Sequence, residues 1–283
     1  MAAQLLDGRE MANRIRDEVK AEVAEFTEKS ARSPSLAVVR AGEDPASVSY
    51  ARMLRRSCEQ VGVRFVPHFS AQASEAGLVD LVAELSQSDA VDGIMIQEPL
   101  PEGVRREAVI SALSPAKDVD GVHPYNAGRL MQDSGDYFAP ATPAGGIELL
   151  ERYEIGIRGK RAVVVGRSNV VGRPMALLLL HRHATVTVCH SRTVDLAEEC
   201  RRAEILVAAI GRAGLITADM VSPGAVVVDF GVNFVDGQMV GDVEFQPVAE
   251  KAGWITPVPG GTGPMTNIML MRNVLKAALA LGA

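Results

Sequence analysis

The chain has 283 residues, 47% of them hydrophobic, with 29 basic and 35 acidic side chains and a formal net charge of −6. That length can bury a full core and accommodates two domains. A mildly acidic, interspersed charge excludes a nucleic-acid or membrane-surface role and leaves small molecules as the expected partners. The cysteines, Cys58, Cys189 and Cys200, are odd in number and lack metal-ligand spacing, so neither a disulfide framework nor a metal site is expected. No run of signal-peptide length and no segment of roughly 18 apolar residues is found, which makes the cytoplasm the expected location.

Leu6, Met11, Ile15, Val19, Val23 and Phe26 recur at near-helical spacing and predict an N-terminal amphipathic helix. "SLAVVRAG" (35–42) then reads as a strand ending in a turn. Helix 46–61 leads to a strand in "VRFVPHFS" (63–70), helix 74–87 leads to a strand in "DGIMIQEPLP" (92–101), and a short helix spans 103–113. Residues 114–146, rich in Pro, Gly and Asp, read as loops and a linker, and a helix follows at 143–153. A second strand–helix series begins with "KRAVVVGRSNVVGRPMALLLLHR" (160–182), which reads as strand, glycine-bearing turn and helix. "ATVTVCHS" (184–191), "AEILVAAIG" (203–211) and "AVVVDFGV" (225–232) supply three further buried strands, and an apolar helix over 265–280 follows "GWITPVPGGTGPMT" (253–266). Alternation of this kind predicts an α/β protein with parallel sheets.

Gly166, Ser168 and Gly172 occupy the turn between a Val-rich strand and a helix opened by Pro174. In a Rossmann unit that turn sets backbone N–H groups and a helix N-terminus against a pyrophosphate. The spacing is not G-x-G-x-x-G, because Ser168 stands where the second glycine would, and the turn alone is equally an ordinary strand-to-helix connection. About 20 residues on, where an NAD enzyme carries an acid for the ribose hydroxyl, the chain reads "HSRT" (190–193). A hydroxyl at Ser191 and a guanidinium at Arg192, with Arg167, suit a 2′-phosphate and point to NADP. The competing reading makes both arginines solvated surface charges.

In the first half, "KDVDGVHPYN" (117–126) gathers Asp118, Asp120, His123 and Tyr125 in one loop. A buried carboxylate such as Asp120 suits the amidine-like edge of a pterin, and Asp–Gly turn chemistry explains the same residues as well. Six stretches together carry a resemblance: "GEDPAS", "DGIMIQEPLP", "KDVDGVHPYNAGRL", "GRSNVVGRP", "CHSRT" and "TPVPGGTGPMT". In this order they closely resemble the motifs of bifunctional methylenetetrahydrofolate dehydrogenase/methenyltetrahydrofolate cyclohydrolase. The resemblance implies oxidation of 5,10-methylenetetrahydrofolate with NADP, followed by hydrolysis of the methenyl product to 10-formyltetrahydrofolate. It also implies a homodimer of two-domain subunits with a folate cleft between the domains. The domains would be a folate-binding catalytic domain over 1–141, to which the last helix (266–283) returns, and a Rossmann NADP-binding domain over 142–265.

Carried over by motif, Tyr50 resembles the tyrosine that packs on the aminobenzoate ring, Gln97 the glutamine beside the reacting carbon, and Asp120 the aspartate that holds the pterin. Gly166, Arg167, Ser168, Ser191, Arg192 and Val232 fall at NADP-contact positions, while Gly260, Gly261 and Pro264 belong to the loop closing the cleft. The family pattern after the tyrosine is Y-x-x-x-K, but here it is "YARML", which puts Leu54 where the catalytic lysine belongs. At about 100° per residue Tyr50, Met53, Leu54 and Ser57 share a helix face, so Leu54 is expected against the folate.

The two reactions make different demands. Hydride transfer needs chiefly alignment of the methylene carbon with the nicotinamide, whereas hydrolysis needs a positioned acid–base group. Leucine cannot serve, so hydrolysis is expected to be weak or absent. Three alternatives stand beside this reading. The first is a fully bifunctional enzyme that uses water or Glu98, which replaces a usually apolar residue. The others are a folate- and NADP-binding paralogue without turnover, and an NADP oxidoreductase acting on another cyclic amine.

Overall fold

A computed structural model of the chain describes residues 2–71 and 73–282. The chain opens with strand β1 (Gln4–Leu5) and helix α1 (Gly8–Ser30). Next come β2 (Ser35–Ala41), α2 (Pro45–Val61), β3 (Arg64–Ser70), α3 (Glu75–Gln87), β4 (Gly93–Ile96), α4 (Arg106–Ser111) and α5 (Pro124–Gln132). The second series runs α6 (Ala141–Arg152), β5 (Arg161–Val165), α7 (Gly172–His181), β6 (Thr185–Cys189), α8 (Leu196–Arg201), β7 (Ile205–Ala208) and β8 (Val226–Asp229). A hairpin of β9 (Asn233–Val235) and β10 (Gln238–Val240) follows, then α9 (Phe245–Ala249), β11 (Trp254–Ile255) and α10 (Thr262–Leu281).

These elements form two compact α/β units. One contains Arg14–Ala141 and the chain from Asn267 onward; the other contains Thr142–Thr266 and the first residues through Asn13. That N-terminal segment, expected in the folate domain, lies in the other unit because β1 pairs in parallel with β11 (Gln4 with Trp254, Leu5 with Ile255). A two-residue strand carries too little pattern to reveal such a pairing.

In the first unit β2 is the centre of a parallel sheet of order β3-β2-β4. All of β2 is buried, as a parallel strand covered on both faces must be. Ala37, Val39, Ala41, Ile94 and Ile96 pack against Leu78, Val82 and Leu85 of α3 and Val109 and Ile110 of α4. The intervening positions, including Arg40 on β2 and Gln97 just past β4, therefore face the other side.

The second unit carries a parallel sheet of order β1-β11-β8-β7-β5-β6. Its first major strand, β5, has β6 on one side and β7 on the other, so the strand order reverses there. In open α/β sheets the crevice at such a point, beyond the carboxyl ends of the strands, takes the ligand.

Two segments differ from expectation. The stretch 114–146 is not all loop: Pro124 at the first helical position and His123 as cap, its Nδ1 accepting from Tyr125 N at 3.0 Å, start α5 despite the turn-rich composition. Helix α10 begins at Thr262, so Pro264 lies in its first turn and not in a loop; there its missing N–H costs nothing.

Candidate active site

Local chemistry first fixes α2. Asp44 accepts from Ser47 N at 2.8 Å and Pro45 occupies the first turn, a strong helix start. The Ser47 hydroxyl lies 2.9 Å from the Asp44 carboxylate and 3.1 Å from the Glu98 carbonyl oxygen. Gln97, 3% exposed, donates from Nε2 to Ser47 O at 3.2 Å. Its Oε1 is buried with no hydrogen-bond partner among the described residues, an expensive state for an amide, and marks a place for a donor. The "GEDPAS" and "DGIMIQEPLP" motifs thus meet at Ser47.

The loop 117–126 separates into scaffold and free groups. The Lys117 ammonium donates to Ser88 O at 2.7 Å, closing the end of α3. Asp118 is fully buried and accepts from Val122 N (3.0 Å), His123 N (2.8 Å) and Asn126 Nδ2 (2.8 Å). It holds the loop, as the turn-chemistry reading proposes. Asp120 differs: among the described residues no donor reaches its carboxylate. Desolvation, then the carboxylates of Asp118 and Glu98, push its carboxyl up to about 7 against the opposing pull of Arg106. Tyr50, partly buried, has its phenol pushed up by burial and then by Asp120, so the two share one neighbourhood. Tyr50, Gln97 and Asp120 all belong to this unit.

Leu54 lies one helical turn from Tyr50 on α2. It is 0% exposed, on the buried stripe of α2 formed by Ser47, Ala51, Leu54, Cys58 and Val61, while Tyr50 lies at the stripe's margin. Glu98 is exposed, as alternation with Gln97 requires, and its Oε1 lies 2.5 Å from Arg106 Nε. Sequence reasoning missed Arg106, and also Asn267, whose Nδ2 lies 3.3 Å from Met53 Sδ and whose Oδ1 is buried without a partner among the described residues. Neither residue has a motif to signal it.

In the second unit Gly166 has φ +124, and a Cβ there would lie 2.0 Å from Ala209 O; only glycine brings these two loops together. The Ser168 hydroxyl accepts from Val171 N (3.1 Å) and Gly172 N (3.2 Å), so it holds the turn that leads into α7. The N–H groups of Arg167, Ser168, Asn169 and Val170 find no acceptor among the described residues. Four free donors ahead of a helix N-terminus fit a pyrophosphate. Past β6, His190 and Thr193 close a turn (His190 N to Thr193 Oγ1, 2.8 Å; Arg192 N to His190 Nδ1, 3.1 Å) whose tip exposes the Ser191 and Arg192 side chains, neither with a partner among the described residues. Val232 is 60% exposed just beyond β8. Gly261 is buried against Gly8, where a Cβ would lie 1.7 Å from Gly261 O, and Gly260 O accepts from Arg9 N at 3.1 Å.

Residues 6–120 match the model of the tetrahydrofolate dehydrogenase/cyclohydrolase catalytic domain, and residues 140–281 match that of the NAD(P)-binding domain. The chain belongs to this family. Bifunctional protein FolD of Chloroflexus aurantiacus is 55% identical over 280 residues, covering 98% of each chain, and that of Roseiflexus castenholzii is 56% identical, covering 98% of this chain and 97% of its own. Among solved structures, the Campylobacter jejuni bifunctional FolD matches with a TM-score of 0.96 at 40% identity over 99% of both chains. The Trypanosoma brucei methylenetetrahydrofolate dehydrogenase-cyclohydrolase, complexed with NADP cofactor and inhibitor, matches at 0.94 and 35% identity over 99% of this chain and 98% of its own.

Proposed function

We propose that the protein oxidises 5,10-methylenetetrahydrofolate to 5,10-methenyltetrahydrofolate with NADP, and that it also hydrolyses the methenyl product to 10-formyltetrahydrofolate, at a rate lowered by Leu54. The relatives' common name supports both activities in kind; the leucine supports the difference in rate. The observation that carries the folate reading is Asp120, a desolvated carboxylate with no donor among the described residues, beside Tyr50. Such a group is costly unless a ligand supplies the donors, and the pterin's paired N–H groups do so.

When bound, NADP supplies the hydride acceptor. Asp120 holds the pterin, Tyr50 packs on the aminobenzoate ring, and Gln97 offers its unpaired Oε1 near the reacting carbon. The adjacent nitrogen lone pairs of the substrate drive hydride departure, so this step asks the protein for alignment alone. Hydrolysis adds water to the methenyl carbon and opens the ring, which calls for proton transfer that neither Gln97 nor Leu54 performs. Purified protein given methylenetetrahydrofolate and NADP is expected to form NADPH and accumulate methenyltetrahydrofolate. No NADPH formation overturns the oxidation reading. Hydrolysis as fast as oxidation overturns the rate difference and turns attention to Glu98, the carboxylate the family pattern lacks; Glu98→Gln then reports whether it acts as base.

NADP preference rests on Ser191 and Arg192. Removing the charged donors in Arg192→Ala is expected to raise the KM for NADP about 10–100-fold, the equivalent of a charge-assisted hydrogen bond, while NAD use stays nearly unchanged. Steady-state kinetics with both cofactors check this, and a wild-type protein that favours NAD sinks it. The homodimer belongs to the same proposal. Edge strand β6 leaves Val188 exposed and α7 leaves Leu180 exposed, apolar surface for a second copy to cover; sedimentation of the purified protein tests it.

A further inference from the structure

The second unit contains a buried carboxylate that the proposed chemistry does not use. Asp242, 0% exposed, gathers four donors. Its Oδ2 accepts from Ile210 N at 2.6 Å and Gly211 N at 2.9 Å, and its Oδ1 accepts from Arg212 N at 2.8 Å and Asn233 Nδ2 at 2.9 Å. Three consecutive backbone N–H groups converging on one anion form a nest of the kind that elsewhere binds phosphate; here the protein's own carboxylate fills it. No cation pairs with Asp242 among the described residues, so its charge is stabilised by these donors alone. The approach is close: a Cβ on Gly231 would lie 2.4 Å from Asp242 Oδ1. Asp229 anchors the group from below, accepting from Asp242 N at 3.1 Å, Val243 N at 2.9 Å and Gly231 N at 2.7 Å.

The position of these donors gives the arrangement its meaning. Residues 210–212 follow β7 and Asn233 follows Val232 beyond β8, so Asp242 ties together the loops at the carboxyl ends of two neighbouring strands. The crevice lies between the loops after β5 and β7. Arg192 follows β6, on the far side of β5, and would take the adenosine 2′-phosphate, which leaves the β7–β8 side for the nicotinamide half.

We propose that Asp242 is a positioning residue that fixes the nicotinamide half of the cofactor crevice by holding the 210–212 loop to the Val232–Asn233 segment. The inference rests on NADP as the cofactor of this unit. Its test compares NADP with adenosine 2′,5′-bisphosphate, which lacks the nicotinamide half, by titration calorimetry on the full chain. In Asp242→Asn, an isosteric change that replaces one acceptor oxygen by an NH₂ facing N–H donors, NADP affinity is expected to fall about 10–100-fold while bisphosphate affinity stays within about twofold. A parallel loss of both ligands, or no loss of either, overturns the inference. A wild-type chain that binds neither ligand overturns the cofactor assignment and the inference with it. Should Asp242→Asn not fold, Asn233→Ala carries the test: it removes one side-chain donor, and the expected outcome is a selective loss of NADP affinity of about three- to tenfold. Equal affinities in Asn233→Ala and wild type, or equal losses for both ligands, overturn the inference.

Discussion

Leu54→Lys is expected to raise methenyltetrahydrofolate hydrolysis by about 10²–10⁴-fold, the usual worth of a placed acid–base group, and to leave NADPH formation within a few-fold of wild type. The surroundings favour this gain. Position 54 is buried, so an ammonium there is desolvated and its pKa falls toward neutrality, where it serves as a base. Helical side chains lean toward the helix N-terminus, the end of α2 where Gln97 is bonded to Ser47 and holds its Oε1 without a donor. Leu54→Met is the control for packing: it conserves volume, costs less than about 1.5 kcal/mol, and adds no hydrolysis. Decay of methenyltetrahydrofolate absorbance against the buffer rate measures all three proteins. A folded Leu54→Lys variant with intact oxidation and no added hydrolysis shows that position 54 is not where the missing base acts.

Asp120→Ala is expected to weaken folate binding by about 1.5–3 kcal/mol, or roughly 10–150-fold, the value of hydrogen bonds to a charged acceptor, with NADP affinity unchanged. Asp120→Asn separates charge from shape. The Asp120 carboxyl is raised to about 7, first by desolvation and then by Asp118 and Glu98. Between the ordinary carboxylate pKa near 4 and about 7 the folded chain holds a proton that the unfolded chain has released, so the contribution of this group to stability falls as pH rises through that window. Asp120→Asn is therefore expected to raise Tm at pH 8 and to change it little at pH 4. Ligand binding has the opposite sense, since the pterin needs the ionised carboxylate: the folate KM of the wild type rises as pH drops below 7, and the Asn variant loses that dependence. Thermal melts at the two pH values with KM profiles check both signs; a Tm lowered at pH 8 makes Asp120 a structural residue of its loop.

Three carboxylates show where the sequence stops being informative. "KDVDG" places Asp118 and Asp120 two residues apart, and for either of them turn chemistry explains the residue as well as ligand binding does. The fold turns Asp118 inward to three donors and leaves Asp120 with none, a division set by a few backbone torsions that side-chain identity does not record. Asp242 sits in "VGDVEF" (240–245) with no signal at all, because its partners are backbone N–H groups 30–32 residues away, and every residue but proline has one. On α2 the 100° rule puts Tyr50 and Leu54 on one side, yet the buried stripe passes through Leu54 and leaves Tyr50 at its margin, since the edge of a packed face is drawn by the neighbours.

The sequence by itself determined the α/β class, the strands β2–β8, the glycine turn before α7 and the family. These depend on local periodicity, turn chemistry and contiguous motifs, which are written in neighbouring residues. Only the tertiary structure decided that the first residues join the sheet beside β11, that "PYNAGRLMQ" is helical, that Gln97 keeps an unpaired oxygen beside Ser47, and that Asp120 rather than Asp118 stands free. Each is a matter of which donors and acceptors meet across long separations, and buried polar groups are satisfied or stranded only once the whole unit has packed around them.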